Sequence, residues 1–123
     1  MPPPRLPATA AYERGRDGEQ FVAERLMLDG WTVLARNYRA GGGEIDLVVE
    51  RDGVLRFVEV KARSPDDPSG MESIGPDKRR RLVAAAEAWL SIRGPPEREV
   101  AFLVAVVSFA PSGWTVEFWD DAW

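Results

Sequence analysis

A charged pair interrupts an otherwise apolar run in the third predicted strand, Phe57-Val58-Glu59-Val60-Lys61. Side chains alternate across a strand, so Glu59 and Lys61 share one face. The preceding predicted strand carries Asp46, which is likewise a charge flanked by aliphatic residues. Because Asp52-Gly53 predicts a tight hairpin between the two strands, Asp46 and Glu59 are expected near one end of the ladder, although not directly opposite each other.

Neighbouring carboxylates suggest a hard divalent cation. Two such groups repel, and an ion would relieve that repulsion. Mg²⁺ accepts one or two protein carboxylates together with waters and phosphate oxygens. Bound Mg²⁺ or Mn²⁺ would polarise a phosphodiester and activate a water, while Lys61 would orient that water or stabilise developing charge. The alternative, a structural Glu–Lys pair on a solvated strand face, stays open.

Glu19 is a third candidate acid. On the first predicted helix it aligns with Ala23 and Leu26, so it extends the apolar face towards the sheet. The alternative is an acid in the first helical turn that interacts favourably with the helix dipole. Periodicity alone does not separate these interpretations.

The second predicted helix begins with four consecutive cations. Lys78 and Arg79 lie at the head of its apolar face, so they would face the carboxylates or a phosphate. Arg80 and Arg81 are expected to point sideways. Together the four would clamp a DNA backbone, although a solvated helix face is the favoured alternative for Arg80 and Arg81. Only two of the 16 cations are lysines, Lys61 and Lys78, and both fall at these candidate positions.

The hydrophobic pattern predicts the elements that carry these residues, in the order α-β-β-β-α-β-β. A capping box at Asp17 and Gln20 predicts the first helix start, and Gly30 its end. A helical crossover between strands favours a parallel return, so the fold class is a single α/β domain with a mixed central sheet flanked by helices. The five strands are predicted at residues 31–36, 44–50, 54–62, 100–107 and 114–119, with the second helix between Pro76 and Gly94.

Composition excludes several kinds of chemistry. The chain of 123 residues has no Cys and no His, which excludes thiolate metal sites, Ser–His triads and imidazole bases. Its net charge of −4 argues against a purely electrostatic nucleic-acid binder. Residues 1–11 are predicted to be a flexible tail and 12–123 one domain. With neither a long apolar run nor a signal peptide, we expect a cytoplasmic protein away from membranes.

Four motifs stand out together in the sequence. They are Gly15-Arg16-Asp17-Gly18-Glu19, Asn37-Tyr38-Arg39, Gly43-Glu44-Ile45-Asp46-Leu47-Val48 and Phe57-Val58-Glu59-Val60-Lys61-Ala62-Arg63. With these motifs the chain resembles the YraN-like family of uncharacterised bacterial proteins over about residues 12–109. Glu19, Asp46 and Glu59-Val60-Lys61 also resemble the restriction-endonuclease-like PD-(D/E)xK nuclease core, which implies a fold similar to that of archaeal Holliday-junction resolvases.

The resemblance implies a metal-dependent nuclease acting on DNA, with branched or flapped DNA among its candidate substrates. Glu19, Asp46 and Glu59 would be the acidic, metal-binding residues, and Lys61 the catalytic lysine. The chain departs from the pattern where Ile45 replaces the proline of the broad motif. It departs again at Leu103, where the family is expected to carry an Asp.

Two other functions remain open at this stage. One is a nucleic-acid-binding or protein-assembly module that keeps the fold without turnover. The other is a dimer or protein-docking contact along a C-terminal edge that contains Trp114, Trp119 and Trp123. The negative net charge favours DNA binding that is weak without a partner.

Overall fold

The computed structural model describes residues 11–63 and 75–120, with side chains over 17–62, 75–109 and 111–120. Residues 1–10 of the predicted tail, residues 64–74 and Trp123 therefore lie outside the described residues, whereas residue 11, the last of the predicted tail, already belongs to the first helix. Among the residues described, no helix is long and apolar enough to cross a membrane. The elements follow the predicted order: α1 (Ala11–Leu28), β1 (Thr32–Ala40), β2 (Gly43–Arg51), β3 (Val54–Arg63), α2 (Pro76–Arg93), β4 (Glu99–Ala110) and β5 (Gly113–Asp120).

All five strands form one mixed sheet in the order β1-β2-β3-β4-β5. Neighbouring strands run antiparallel except for β3 and β4, which are parallel from Val54–Glu99 to Arg63–Ser108. The connection between those two contains α2, as a parallel crossover requires. The predicted α/β class, element order and mixed sheet are confirmed.

The hairpin between β2 and β3 fixes the register that matters for the carboxylates. Asp52 (φ 51°) and Gly53 (φ 79°) are both left-handed, the geometry of the two-residue turns that suit twisted strands. The last pair of this register is Leu47–Val58, so Asp46 and Glu59 are the next residues along the two strands, beyond the paired positions.

The end of α1 matches the prediction but its start does not. Gly30 (φ 92°) closes the helix: its N–H donates to the Met27 carbonyl at 3.1 Å, and the Trp31 N–H donates to the Leu26 carbonyl at 3.0 Å. The helix begins at Ala11, so Asp17 is an interior residue rather than a cap. The Ala, Glu and Arg residues that precede Asp17 favour helix, so the helix continues through them. A capping sequence permits a helix to start but does not force it to start there.

The two helices cover opposite faces of the sheet, each over its own apolar core. Burying one such side chain is worth about 1.5–3 kcal/mol, so both helices are anchored by packing. Leu103, where an acid was expected, is buried in the α1-side core. Val83 of α2 is exposed. The helix residues in the cores are Val22, Ala23 and Leu26 of α1 and Leu82, Ala85, Ala86 and Trp89 of α2.

The tryptophans of the predicted C-terminal edge have different environments. Trp114 packs edge-on against Phe21 and Phe109, with ring centroids 5.4 and 4.5 Å away. Trp119, on the same terminal strand, is 44% exposed. Trp114 therefore contributes to the α1-side packing, and an association surface here stays a prediction that involves Trp119.

The triglycine turn between β1 and β2 seats α2 against the sheet. Gly41 (φ 62°) and Gly42 (φ 83°) form the left-handed turn. At Gly43, an added Cβ would lie 2.0 Å from the carbonyl oxygen of Arg81, inside the α2 backbone. Glycine at position 43 is therefore required by helix packing.

This contact predicts that Gly43→Ala destabilises the fold by about 1–3 kcal/mol or more, because the helix backbone cannot yield cheaply. Gly18→Ala is the matched control. Its Cβ would meet Phe109 at an ordinary 3.8 Å, and alanine in a helix stabilises by about 0.5–1 kcal/mol. Urea unfolding measures both. Equal stability of Gly43→Ala and the parent would contradict the close seating of α2.

Candidate functional site

The candidate site lies where β2 and β3 separate. Their ladder ends with the Leu47–Val58 pair, one position before Asp46 and Glu59. The Asp46 carboxylate instead accepts a hydrogen bond from the Val60 N–H at 2.8 Å. A side-chain oxygen thus takes a backbone donor that a neighbouring strand would otherwise use. The separated strand ends expose a polar opening in an otherwise hydrogen-bonded sheet.

The backbone is irregular at the same level in β1. Asn37 is left-handed (φ 50°), and the β1–β2 pairing omits it and Asp46. Asparagine tolerates this conformation better than most residues. Ile45 packs with Val48 in the α2-side core, whereas Leu47 belongs to the α1-side core. Ile45 and Leu47 thus lie on opposite sides of the sheet although they are two residues apart in β2, so β2 does not alternate regularly here.

Glu59 is a buried acid that faces the opening. It is 4% exposed, and its Oε2 lies 3.0 Å from the Lys78 Nζ of α2. That oxygen has no partner among the described residues that satisfies hydrogen-bond geometry. Lys78 therefore points towards the acidic site, which was one of its two expected directions, and its ammonium lies beside a carboxyl group that the sheet leaves poorly satisfied.

Burial, followed by hydrogen bonding and charge repulsion from the adjoining Asp46 carboxyl, raises the pKa of Glu59 to about 8. Lys78 opposes this rise. The pKa of Glu19 is raised to about 7, first by burial and then by Asp46, with Glu44 adding to the repulsion and Asn37 opposing it. The site thus holds acids that change charge near neutral pH.

Glu19 approaches Asp46 from α1, which agrees with the first of its two open interpretations. Its side chain is partly buried and contacts the Asp46 carboxyl and the Asn37 side chain. Helix α1 covers the face of the sheet opposite to α2. Asp46 is therefore the carboxylate that links Glu19 on one side with Glu59 on the other.

A cavity of about 570 Å³ opens over Asp46 and Glu59. Glu19 and Lys61 are not among its lining residues. Lys61 is partly buried, two residues beyond Glu59 on the same predicted strand face, and is level with Val106 of β4. The lining residues are Arg39, Ala40, Gly42, Gly43, Glu44, Asp46, Glu59, Lys78, Arg81 and Leu82.

The four consecutive cations near the start of α2 lie in different environments. Lys78 and Arg81, one helical turn apart, line the cavity. Arg80 is exposed and pairs with Asp77 on the helix surface. The expected sideways direction is thus correct for Arg80 but wrong for Arg81, because the i, i+3 spacing puts Arg81 on the Lys78 face. Arg79 is partly buried and outside the cavity lining.

Three polar residues belong to this site although residue-type reasoning gave them no role. Arg39 and Glu44 form an ion pair at 3.2 Å on the cavity wall, and Asn37 contacts Glu19. Their only signal was membership of the Asn37-Tyr38-Arg39 and Gly43–Val48 motifs. Periodicity could not find them because they lie beside a turn and a backbone irregularity.

The donor chemistry at the opening fits a hard divalent cation. Over the described ranges, no three or more Asp, Glu, His or Cys side chains are gathered as a metal-ion group. Asp46 and Glu59 are a pair of oxygen donors facing one cavity, and Mg²⁺ needs only one or two protein carboxylates when water or phosphate completes its shell. The poorly satisfied Glu59 oxygen is the observation that favours such an ion.

These features define an α/β protein with a carboxylate pocket between separated strands. The family model described as "Uncharacterised protein family UPF0102" matches residues 18–107. The chain belongs to this YraN-like family, which confirms the resemblance found in the sequence.

Individual relatives support this family membership. A UPF0102 protein of Mesorhizobium japonicum is 42% identical over 106 residues, covering 86% of this chain and 83% of the relative. One of Gloeobacter violaceus is 48% identical over 98 residues, covering 77% and 78%. One of a Synechococcus strain is 41% identical over 118 residues, covering 92% and 88%. These similarities extend over most of each protein.

The raised pKa of Glu59 predicts a pH-dependent cost to the fold. Folding favours the protonated acid, so this contribution to stability is complete below the ordinary value of 4.5 and is lost as pH rises through about 8. Glu59→Gln, which mimics the neutral acid, should therefore have the same free energy of unfolding as the parent near about pH 5. Near about pH 9 its free energy of unfolding should be higher than the parent's by on the order of a few kcal/mol, since each pKa unit corresponds to ~1.4 kcal/mol.

Denaturant unfolding at several pH values tests this difference. Glu50→Gln removes an exposed carboxylate of the same strand pair and is the control, expected to leave the profile unchanged. A Glu59→Gln effect that is the same at every pH would contradict the assignment.

Proposed function

We propose that this protein is a metal-dependent nuclease that hydrolyses phosphodiester bonds in DNA. The observation that carries the proposal is the buried Glu59 oxygen, which faces a cavity beside Asp46 where the sheet opens. Asp46 and Glu59 would hold Mg²⁺ or Mn²⁺. Two oxygen donors with room for waters and a phosphate suit these ions.

The ion, when bound, would polarise the scissile phosphodiester and lower the pKa of a coordinated water. The protein's own groups prepare the position. The Val60 N–H donates to Asp46 at 2.8 Å and fixes the orientation of its carboxylate. Glu59 is held by its place inside the sheet, and Glu19 contacts Asp46 from the other side. Glu19 is thereby a positioning acid and a candidate further ligand.

Lys61 is the proposed catalytic cation. It follows Glu59 by two residues in one strand, so the alternation of side chains turns both to the same face. A fixed ammonium there would orient the attacking water or stabilise the charge that develops on the phosphate. The similarity of Asp46 and Glu59-Val60-Lys61 to the PD-(D/E)xK core supports this role by analogy.

DNA is the proposed substrate because cations surround the acidic pocket. Lys78, Arg81 and Arg39 line the cavity with the carboxylates, an arrangement suited to a phosphate backbone close to a metal site. The net charge of −4 predicts weak binding without a partner. Branched and flapped DNA are candidate forms through the resemblance to Holliday-junction resolvases.

A cleavage screen tests the proposal. Linear, flapped, single-stranded and four-way DNA are incubated with Mg²⁺ or Mn²⁺, and products are resolved on denaturing gels. We expect metal-dependent cleavage of at least one form. Asp46→Asn should abolish it, and Lys61→Ala should lower it by about 10²-fold or more, the scale on which single electrostatic groups act.

Glu50→Gln supplies the matched control, since it removes a carboxylate of β2 that lies on the exposed end of the strand. Its cleavage rate should equal that of the parent. Metal-dependent binding without cleavage by the parent would instead support the nucleic-acid-binding module. Cleavage that survives Asp46→Asn would place the chemistry outside this site.

A further inference from the structure

The cations that line the cavity have different partners. Lys78 holds Glu59 at 3.0 Å, although half of its own side chain is exposed (48%). Arg39 is paired with Glu44 across the turn. Arg81 lines the same cavity, and no described residue forms an ion pair or hydrogen bond with its guanidinium. Lys78 is thus paired with the acid that would bind metal, whereas Arg81, one turn away, is paired with no described residue.

The Lys78–Glu59 pair joins a fixed partner to a movable one. Glu59 is 4% exposed and belongs to a central strand, so it cannot leave. Lys78 carries its ammonium on a flexible four-carbon stem at the cavity mouth. A divalent ion at Glu59 would take the oxygen that Lys78 now contacts and would repel the ammonium.

We propose that Lys78 is a displaceable counter-ion: it pairs with Glu59 when the metal site is empty, and it transfers to a substrate phosphate beside Arg81 when a divalent ion takes Glu59. This inference rests on the proposed nuclease function. Metal binding thereby adds one cation to the phosphate-binding surface. Binding of metal and binding of DNA favour each other, because each stabilises the arrangement in which Lys78 has left Glu59.

Three cations of α2 are expected to differ in when they contact a substrate phosphate. Arg81 should contact phosphate whether or not metal is present, because nothing described holds it elsewhere. Lys78 should contact phosphate only when metal is bound. Arg80, which is paired with Asp77 outside the cavity lining, should contribute in neither condition.

Salt dependence of DNA binding separates these behaviours, since each phosphate contact changes the slope of log affinity against log salt by about 0.9 for duplex DNA. Isotherms are measured for a duplex with Ca²⁺ and with a chelator, and a gel confirms that the DNA stays intact. The slope for Arg81→Ala should be shallower than the parent's by about 0.9 in both conditions. The slope for Lys78→Met should be shallower by that amount only with Ca²⁺, and the slope for Arg80→Ala should equal the parent's in both conditions.

Lys78→Arg keeps the positive charge and should restore the Ca²⁺-dependent slope, which a purely structural role would not predict. Thermal midpoints of all variants confirm that they are folded. If Lys78→Met changes the slope equally with and without Ca²⁺, or in neither condition, the displaceable counter-ion is wrong while the nuclease proposal stands. If the parent binds no DNA in the presence of Ca²⁺, both proposals fall.

Discussion

One hydrogen bond sets the geometry of the site: the Val60 N–H donates to the Asp46 side chain instead of to a neighbouring strand. The β2–β3 ladder ends beside it, and the two strands are free to separate there. Without this opening, Glu59 would be a buried carboxylate inside a regular sheet. Because the strands separate, Glu59 faces a cavity. The same hydrogen bond fixes the orientation of the Asp46 carboxylate between Glu59 and Glu19.

The surrounding structure tolerates this arrangement because two apolar cores secure both faces of the sheet. Gly43 allows the α2 backbone to approach closely, which brings Lys78 over Glu59. A buried acid with a pKa of about 8 costs stability when it ionises. Groups that are costly to the fold and face a cavity are typical of functional sites, which is why this position carries the functional proposal.

The regular parts of the fold could be predicted from sequence because local chemistry determines them. Asp52-Gly53 specifies a tight turn, Gly30 a helix end, and the apolar run of β4 a buried parallel strand. The start of α1 could not be predicted, since its first turns continue smoothly into the capping sequence.

Within the site, Asp46, Glu59, Glu19 and Lys78 were found because charges in apolar patterns are conspicuous. The arrangement of these side chains relative to one another was harder to predict. Ile45 and Leu47, two residues apart in β2, lie in different cores, and strict alternation of side chains does not predict this. Arg81 was assigned to the wrong direction because its direction was judged against the apolar face of α2 and not against Lys78, three residues earlier, with which it lines the cavity.

Calorimetric titration of Mg²⁺ or Mn²⁺ into the parent and into Asp46→Asn, in buffers of different ionisation enthalpy, tests the central claim most directly. The account predicts one ion per chain, with release of a proton from Glu59 below about pH 8 because metal ligands must be deprotonated. At 100 times its dissociation constant the ion should add ~2.7 kcal/mol to the parent's stability, and Asp46→Asn should lose most of that gain. No binding heat and an unchanged thermal midpoint in the parent would contradict the metal site.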